Sequence, residues 1–152
     1  MFDTNKVDRI VEMFAFDIYI AILKIEDTAS GFDNVQDLLY SYHHWDSVMR
    51  EFEIIGEASK YLLKSNLLDK KYQKVVDFRN IITHEYFGIE PNEIWNVIYN
   101  NLESFKKVIL ELINDINQPL KEELIDAFIE DTKYLDFIVN ALIELKQKRN
   151  RL

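Results

Sequence analysis

The feature that most constrains the fold of this chain is the recurrence of apolar residues at intervals of three and four, with very few residues that interrupt a helix. The sequence contains 3 Gly and 2 Pro among 152 residues, which leaves little material for the tight turns between many short strands. Apolar side chains at this spacing share one face of an α-helix. No stretch is persuasive as a strand. The sequence therefore predicts an all-α protein with long helices.

The pattern predicts four principal helices followed by a C-terminal helical segment. The first helix is expected to begin after Asp3 or Thr4, both of which are good N-caps, and to end at Ser30-Gly31. Its apolar stripe is broad enough to predict burial on two sides. The later helices are predicted at residues 34–40 (a short helix or a turn), 45–66, 71–85, 91–117 and 120–145, the last as one helix or as two pieces divided near 131–132.

A chain of this length is expected to form one hydrophobic core. The fold class that follows is all-α, as an antiparallel four-helix-type bundle with an additional C-terminal helical segment. We expect residues 1–118 to form the bundle and residues 119–152 to form an extension packed on the same domain.

Composition restricts the functions that the chain can have. The formal net charge of −9 argues against an extended surface that tracks nucleic-acid phosphates, so RNA binding would have to be local, for example at Lys70, Lys71 and Lys74. Zero Cys excludes a thiol nucleophile and a Cys-based zinc site, and the adjacent His43 and His44 point too far apart to hold one metal ion. Neither a cofactor nor a metal is predicted.

The N-terminal apolar stretch predicts neither a membrane span nor a secretory signal. Glu12, Asp17 and Lys24 interrupt the apolar residues between positions 7 and 25, and no cleavage site follows them. We therefore expect a cytoplasmic protein without membrane contact.

The run from Asp77 to Gly88 (Asp-Phe-Arg-Asn-Ile-Ile-Thr-His-Glu-Tyr-Phe-Gly) carries the candidate chemistry. Asn80 and His84 are four residues apart and share one face of a helix, and the long stem of Arg79 can bring its guanidinium to the same edge. A permanent cation beside an imidazole suits phosphodiester cleavage without a metal. One histidine does not easily serve as base and acid in one turnover, so a two-fold dimer with two such sets is expected. The structural alternative is a set of polar residues that only solvates a helix end.

The second long helix carries two further features. Gly56 lies inside it, where Gly is unfavourable for a helix, and this indicates that another backbone crosses closely. Arg50, Glu53 and Glu57 form a polar stripe on the same helix. This stripe is expected either to form exposed ion pairs or to orient the Arg79/His84 pair.

Two runs together give the chain a family resemblance. The first is Val-Met-Arg-Glu-Phe-Glu-Ile-Ile-Gly-Glu-Ala-Ser-Lys at 48–60, and the second is Arg-Asn-Ile-Ile-Thr-His-Glu-Tyr-Phe-Gly at 79–88, followed by Ile94-Trp95. Their residues and their order resemble the HepT-like branch of the HEPN superfamily over roughly residues 5 to 115. The segment after Pro119 has no counterpart in this resemblance.

The resemblance implies a specific function. Proteins of this kind are helical homodimers in which Arg-x4–6-His motifs meet at the interface and cut RNA, and they act as toxins in toxin–antitoxin pairs. The HepT-like branch is linked to a minimal nucleotidyltransferase (MNT) antitoxin that transfers AMP from ATP onto the motif tyrosine, which is Tyr86 in this sequence. No nucleotidyltransferase signature occurs in this chain, so that enzyme is expected to be a separate protein. The alternative is a helical subunit that binds a nucleotidyltransferase and has no activity of its own.

Overall fold

A computed structural model describes residues 9–85 and 88–147, and it confirms the predicted all-α fold class. These residues contain no β-strand. None of their helices combines the length and the apolar content that crossing a membrane requires. A 3-10 turn at Lys70–Tyr72 precedes the fourth of eight α-helices. The helices are α1 (Glu12–Ala29), α2 (Val35–Tyr40), α3 (Tyr42–Lys64), α4 (Gln73–His84), α5 (Pro91–Asn100), α6 (Leu102–Asn114), α7 (Leu120–Asp131) and α8 (Asp136–Gln147).

Helix α1 lies at the centre of the hydrophobic core. It packs against α3 and α6, and α3 in turn packs against α4. The ring of Phe16 is fully buried and stacks on that of Phe128 in α7, with the ring centroids 4.9 Å apart. The C-terminal helices therefore cover a side of α1 that the bundle does not, and the predicted burial of α1 on two sides is confirmed.

The predicted start of the first helix, after Asp3 or Thr4, lies outside the described residues, but a continuous helix from there to Ser30 is wrong. Residues 9–11 are not helical, and α1 begins at Glu12. Arg9 donates hydrogen bonds to the carboxylate of Asp17, although residues eight apart on a continuous helix are separated by about 12 Å along its axis. The chain reaches this contact because it leaves the helical path before Glu12.

The predicted single helix over residues 91–117 is also wrong, since the chain breaks between α5 and α6. Asn101 has non-helical backbone angles (φ −121°, ψ −32°). The hydroxyl of Ser104 donates to the carbonyl of Asn101 at 3.0 Å. Asn and Ser are unfavourable inside a helix, and the predicted helix is divided at the non-helical angles of Asn101. Its expected end at 117 is correspondingly late, because α6 ends at Asn114.

Other predicted boundaries agree with the structure to within a few residues. Asn34 caps α2 by accepting a hydrogen bond from the backbone N–H of Asp37 at 2.9 Å. Pro91 occupies the first turn of α5, as its fixed φ favours. The C-terminal segment forms the two pieces α7 and α8, which pack against each other. The division of the chain into domains at 118 and 119 stays a prediction.

Candidate active site

Residues 77–84 of the candidate run lie on helix α4, at the surface of the bundle. The buried residues of α4 are Val76 and Ile82. It packs against α3, where the ring of Phe78 meets that of Phe52 with the centroids 5.3 Å apart, and Ile82 belongs to the hydrophobic core. The exposed residues recur at intervals of one to three along the helix, and they are Gln73, Lys74, Asp77, Asn80, Ile81, Thr83 and His84. The candidate residues Asn80 and His84 therefore belong to a face that the rest of the described chain leaves open.

Gly56 determines how closely α4 approaches α3 at the position of Arg79. A Cβ atom built on Gly56 would lie 2.0 Å from the Cβ of Arg79 and 2.5 Å from its Cγ. These separations are far shorter than carbon atoms tolerate. The predicted close crossing at Gly56 is confirmed, and the element that crosses there is the stem of Arg79.

The guanidinium of Arg79 is held between two neighbours at the edge of this crossing. One terminal nitrogen lies 3.4 Å from the carboxylate of Glu57 on α3, and the other donates to the side-chain oxygen of Asn80 at 3.1 Å. The Arg79 side chain is 30% exposed, and its Nε atom is buried without an acceptor among the described residues. The group is thus fixed on the protein side and open on the solvent side.

His84 is the last residue of α4, and its side chain is exposed. It lies one helical turn after Asn80 on the same face, which is the face toward which the Arg79 guanidinium points through its bond to Asn80. No hydrogen bond joins Arg79 to His84. Tyr86, the predicted acceptor of AMP, lies outside the described residues.

The polar stripe on α3 divides into one residue that contacts the site and two that do not. Glu57 pairs with Arg79 and also with Lys60 at 2.9 Å. Arg50 and Glu53 make no ion pair with any described residue of α4. Of the two predicted roles for the stripe, orientation of the site fits Glu57 alone. The interaction of Asn80 with Arg79, instead of with His84, could not be read from the spacing.

The other two histidines lie at the start of α3, away from this cluster. The Nδ1 atom of His44 is 2.6 Å from the hydroxyl of Ser41, a contact within the first turn of the helix. His43 is exposed and its ring contacts that of Tyr42. No group of three or more potential metal ligands occurs among residues 9–85 and 88–147.

Comparison with known proteins adds a family to this geometry. A family model described as "Ribonuclease HepT-like" matches residues 18–112, which include Gly56, Glu57 and the whole of α4. It ends within α6, so α7 and α8 lie outside the match.

Several proteins similar to this chain are also named as RNases. Two are proposed RNases of Methanocaldococcus jannaschii: MJ0127 is 36% identical over 46% of this chain and 60% of its own length, and MJ1380 is 33% identical over 41% and 61%. A third, the proposed RNase TTE0752 of Caldanaerobacter subterraneus, is 34% identical over 43% and 61%. The chain thus spans about three fifths of the length of these relatives. No solved structure matches it.

Proposed function

The chain belongs to the HepT-like ribonuclease family, whose model matches residues 18–112, and we propose that it is a metal-independent endoribonuclease with its active site at Arg79, Asn80 and His84. The observation that carries this proposal is the placement of the Arg79 guanidinium. Its stem is fixed at Gly56, its charge is paired with Glu57, and its bond to Asn80 turns it toward the exposed face that ends in His84.

The chemistry uses a base and a fixed cation. His84 accepts the proton of a ribose 2′-OH, and the 2′ oxygen attacks the adjacent phosphorus as the bond to the 5′ oxygen of the next nucleotide breaks. Arg79 donates hydrogen bonds to the non-bridging oxygens and stabilises the charge that develops on them. Asn80 keeps the guanidinium at this edge. The products are a 2′,3′-cyclic phosphate and a free 5′-OH, the departing oxygen having taken up a proton.

The proton for the departing oxygen comes from a second subunit in this proposal. The outer face of α4 carries Ile81, a large apolar residue that is 47% exposed beside Asn80. Two copies of this face brought together by a two-fold axis would bury both Ile81 side chains and place two Arg79/His84 sets in one cleft. One His84 then acts as the base and its partner's copy acts as the acid.

The biological role that follows is that of a toxin controlled by an MNT-type nucleotidyltransferase antitoxin. Transfer of AMP from ATP onto the hydroxyl of Tyr86, with release of pyrophosphate, would add a bulky anion two residues after His84. That anion would compete with the RNA phosphate for Arg79 and repel the substrate backbone.

The activity is tested with purified protein and single-stranded RNA in excess EDTA. We expect cleavage that leaves cyclic phosphate ends, its loss in His84→Ala, and its retention in His43→Ala, which removes another exposed histidine. Cleavage that survives in His84→Ala, or that requires an added metal ion, contradicts the proposal.

The composite site is tested by sedimentation of two surface variants. Ile81→Glu introduces a charge at the proposed two-fold contact and is expected to give a monomer without activity. Tyr134→Glu changes a side chain that is 72% exposed between α7 and α8 and is expected to remain dimeric and active. A monomeric wild-type protein that cleaves RNA would remove the second subunit from the mechanism.

A second function is favoured by the net charge of −9, which suits a subunit that binds a nucleotidyltransferase without cutting RNA. Co-expression with such an enzyme followed by intact-mass measurement tests the modification for both functions. We expect the mass to increase by AMP units and Tyr86→Phe to abolish the increase. Modified but catalytically inert protein, with no cleavage before or after removal of AMP, would favour the binding subunit.

A further inference from the structure

A small aromatic cavity lies on the flank of α4 that faces α5 and α6. It has a volume of about 240 Å³. Asn101, where the chain breaks between α5 and α6, is one of its lining residues, and the sequence pattern did not predict the cavity. Rings from four elements line it, namely those of Phe52 on α3, Tyr72 in the 3-10 turn, Phe78 on α4 and Phe105 on α6.

The rings pack against one another and leave polar groups at the rim. The ring centroids of Tyr72 and Phe105 are 5.4 Å apart, and those of Phe52 and Phe78 are 5.3 Å apart in an edge-to-face contact. Lys74, Asn101 and Ser104 are the other polar members of the lining, and its remaining members are Ile55, Val75, Val97 and Leu102. The cavity thus combines apolar ring surfaces with an amide, a hydroxyl and an ammonium group.

The cavity lies beside a cationic segment of an acidic chain. Residues 60–79 contain six Lys or Arg and two Asp, a net charge of +4, whereas the whole chain carries −9. Lys70, Lys71 and Lys74 form no ion pair with any described residue, in contrast to Lys106, Lys133 and Lys146, which are paired with carboxylates. The Nζ atom of Lys71 lies 5.3 Å from the centroid of the Tyr72 ring.

We propose that this cavity binds one base of a single-stranded RNA while Lys70, Lys71 and Lys74 bind the adjoining phosphates. Aromatic surfaces that accept a base beside cations that follow the backbone are how proteins hold single strands. The inference rests on the proposed function in taking RNA as the occupant.

The dimensions and chemistry of the cavity favour a base over other occupants. Sites for drug-sized ligands occupy roughly 300–1,000 Å³, so about 240 Å³ suits one ring system. The amide of Asn101 offers a donor and an acceptor to a base edge. An apolar side chain from a second protein would offer no hydrogen-bond partner to the amide of Asn101 and no charge partner to Lys74.

The position of the cavity relates it to the active site. Lys74 and Arg79 are five residues apart on α4, about 7.5 Å along the helix axis and on different flanks. A strand anchored at Lys74 therefore has to span about 7.5 Å along α4, outside the proposed contact at Ile81, to reach Arg79. The cavity accordingly selects which phosphodiester bond is presented, without contributing to the reaction itself.

The phosphate contacts are tested by the salt dependence of binding. A fluorescein-labelled single-stranded RNA is titrated in the uncleaving His84→Ala background, with and without the further substitutions Lys70→Gln, Lys71→Gln and Lys74→Gln. Each phosphate contact on a single strand contributes about 0.7 to the slope of log K against log salt, so the triple variant should lower the slope by about 2. The matched control changes Lys107, Lys133 and Lys146 to Gln, and equal slopes in both triples overturn the proposal.

The base contact is tested by closing the cavity. Ser104→Trp places a ring at the exposed rim, and in the same background we expect it to weaken RNA binding about tenfold or more, in the range of one lost stacking contact. Asn96→Trp adds the same ring to an exposed position of α5 outside the cavity and should leave the affinity within twofold. Equal affinities for the two Trp variants overturn the proposal.

Three further outcomes separate the occupants. Tight binding of AMP or UMP alone, with no gain from a longer strand, identifies a mononucleotide site and overturns the RNA assignment. Dissociation of a dimer by Ser104→Trp identifies a protein contact and also overturns it. Failure of the proposed function is distinguishable, because RNA binding that depends on Lys74 and Ser104 in a protein that never cleaves RNA supports the cavity and contradicts the ribonuclease.

Discussion

Helices α1 and α4 belong to the same bundle but differ in how much of their surface the bundle buries. Ten of the 18 residues of α1 are buried, on sides that face α3, α6 and α7. Two of the 12 residues of α4 are buried, and both face the bundle. Helix α1 is enclosed by the fold, whereas α4 contacts it along one side only.

The difference separates a helix that contributes mainly to stability from a helix that carries the candidate site residues. Burial of apolar surface contributes roughly 25 cal/mol per Å², so α1 carries a large share of the core. Helix α4 retains enough contact, at Phe78, Ile82 and the Arg79–Gly56 crossing, to hold its outer face in one position. Substitutions in α1 should therefore affect folding, and substitutions on the outer face of α4 should affect function.

The largest expected effect is at Phe16. Phe16→Ala should lower the free energy of unfolding by about 3–5 kcal/mol, because the ring is fully buried and its removal leaves a cavity against Phe128. Urea unfolding followed by circular dichroism measures the change. Phe137→Ala, at a side chain 37% exposed on α8, is the control and should cost far less. A small effect at Phe16 would mean that the C-terminal helices do not enclose α1 in solution.

The next largest effect is expected at Gly56, where α3 contacts α4. Gly56→Ala would force its Cβ against Arg79, so α4 must shift, and a cost of about 1–3 kcal/mol is expected together with weaker cleavage. Gly31→Ala is the matched control, because its Cβ would meet the carbonyl of Thr28 at an ordinary 3.5 Å. Urea unfolding of both variants measures the stability cost, and the EDTA cleavage assay measures the loss of activity. A harmless Gly56→Ala would contradict the close crossing.

A smaller effect is expected at Lys106, which connects α6 to α1 through Glu26 at 2.9 Å and also contacts Glu103 at 3.1 Å. Lys106→Gln should cost about 1 kcal/mol or less, since the pair is partly exposed. Burial lowers the pKa of Lys106, but the bonds to Glu26 and Glu103 outweigh it and raise that pKa above the usual 10.5. The contribution of the charged form is therefore complete below about pH 10.5 and is lost as the pH rises through the raised pKa.

This pH dependence is measured by unfolding the wild type and Lys106→Gln between pH 7 and 11.5. The difference in stability should stay constant up to about pH 10.5 and shrink above it. A difference that grows with pH would contradict the sign of the shift.

The smallest effect on stability is expected at His84, on the open face of α4. His84→Ala should change the free energy of unfolding by no more than about 0.5 kcal/mol, as is usual for exposed positions, although the same variant is expected to abolish cleavage. Thermal unfolding of the variant used in the cleavage assay measures this. A large loss of stability would mean that His84 is part of the structure, and it would leave its effect on cleavage uninterpretable.

Much of the architecture could be predicted because it depends on local pattern. The period of apolar residues located α1, α3 and α4 and the two C-terminal pieces, and the unfavourable Gly56 indicated a close crossing. The break at Asn101 was missed because the apolar period continues through it, and the non-helical backbone angles of one residue leave no mark on that period. The start of α1 was missed because the pairing of Arg9 with Asp17 depends on where the chain turns.

The candidate site likewise contains residues that spacing could predict and one that only helix packing selects. Spacing alone placed Asn80 and His84 on one helical face, because the α-helix repeats every 3.6 residues. It could not select Glu57 from the stripe that also contains Arg50 and Glu53, since that selection depends on how α3 and α4 pack.

The sequence by itself determined that the chain is helical and which side of each helix is apolar, because these properties depend on residues within one or two turns of each other. Only the tertiary structure decided that Arg79 crosses Gly56 and lies between Glu57 and Asn80. It also decided that α4 keeps an open face and that a cavity forms beside α6. These features arise from contacts between helices, whose geometry depends on the packing of distant side chains.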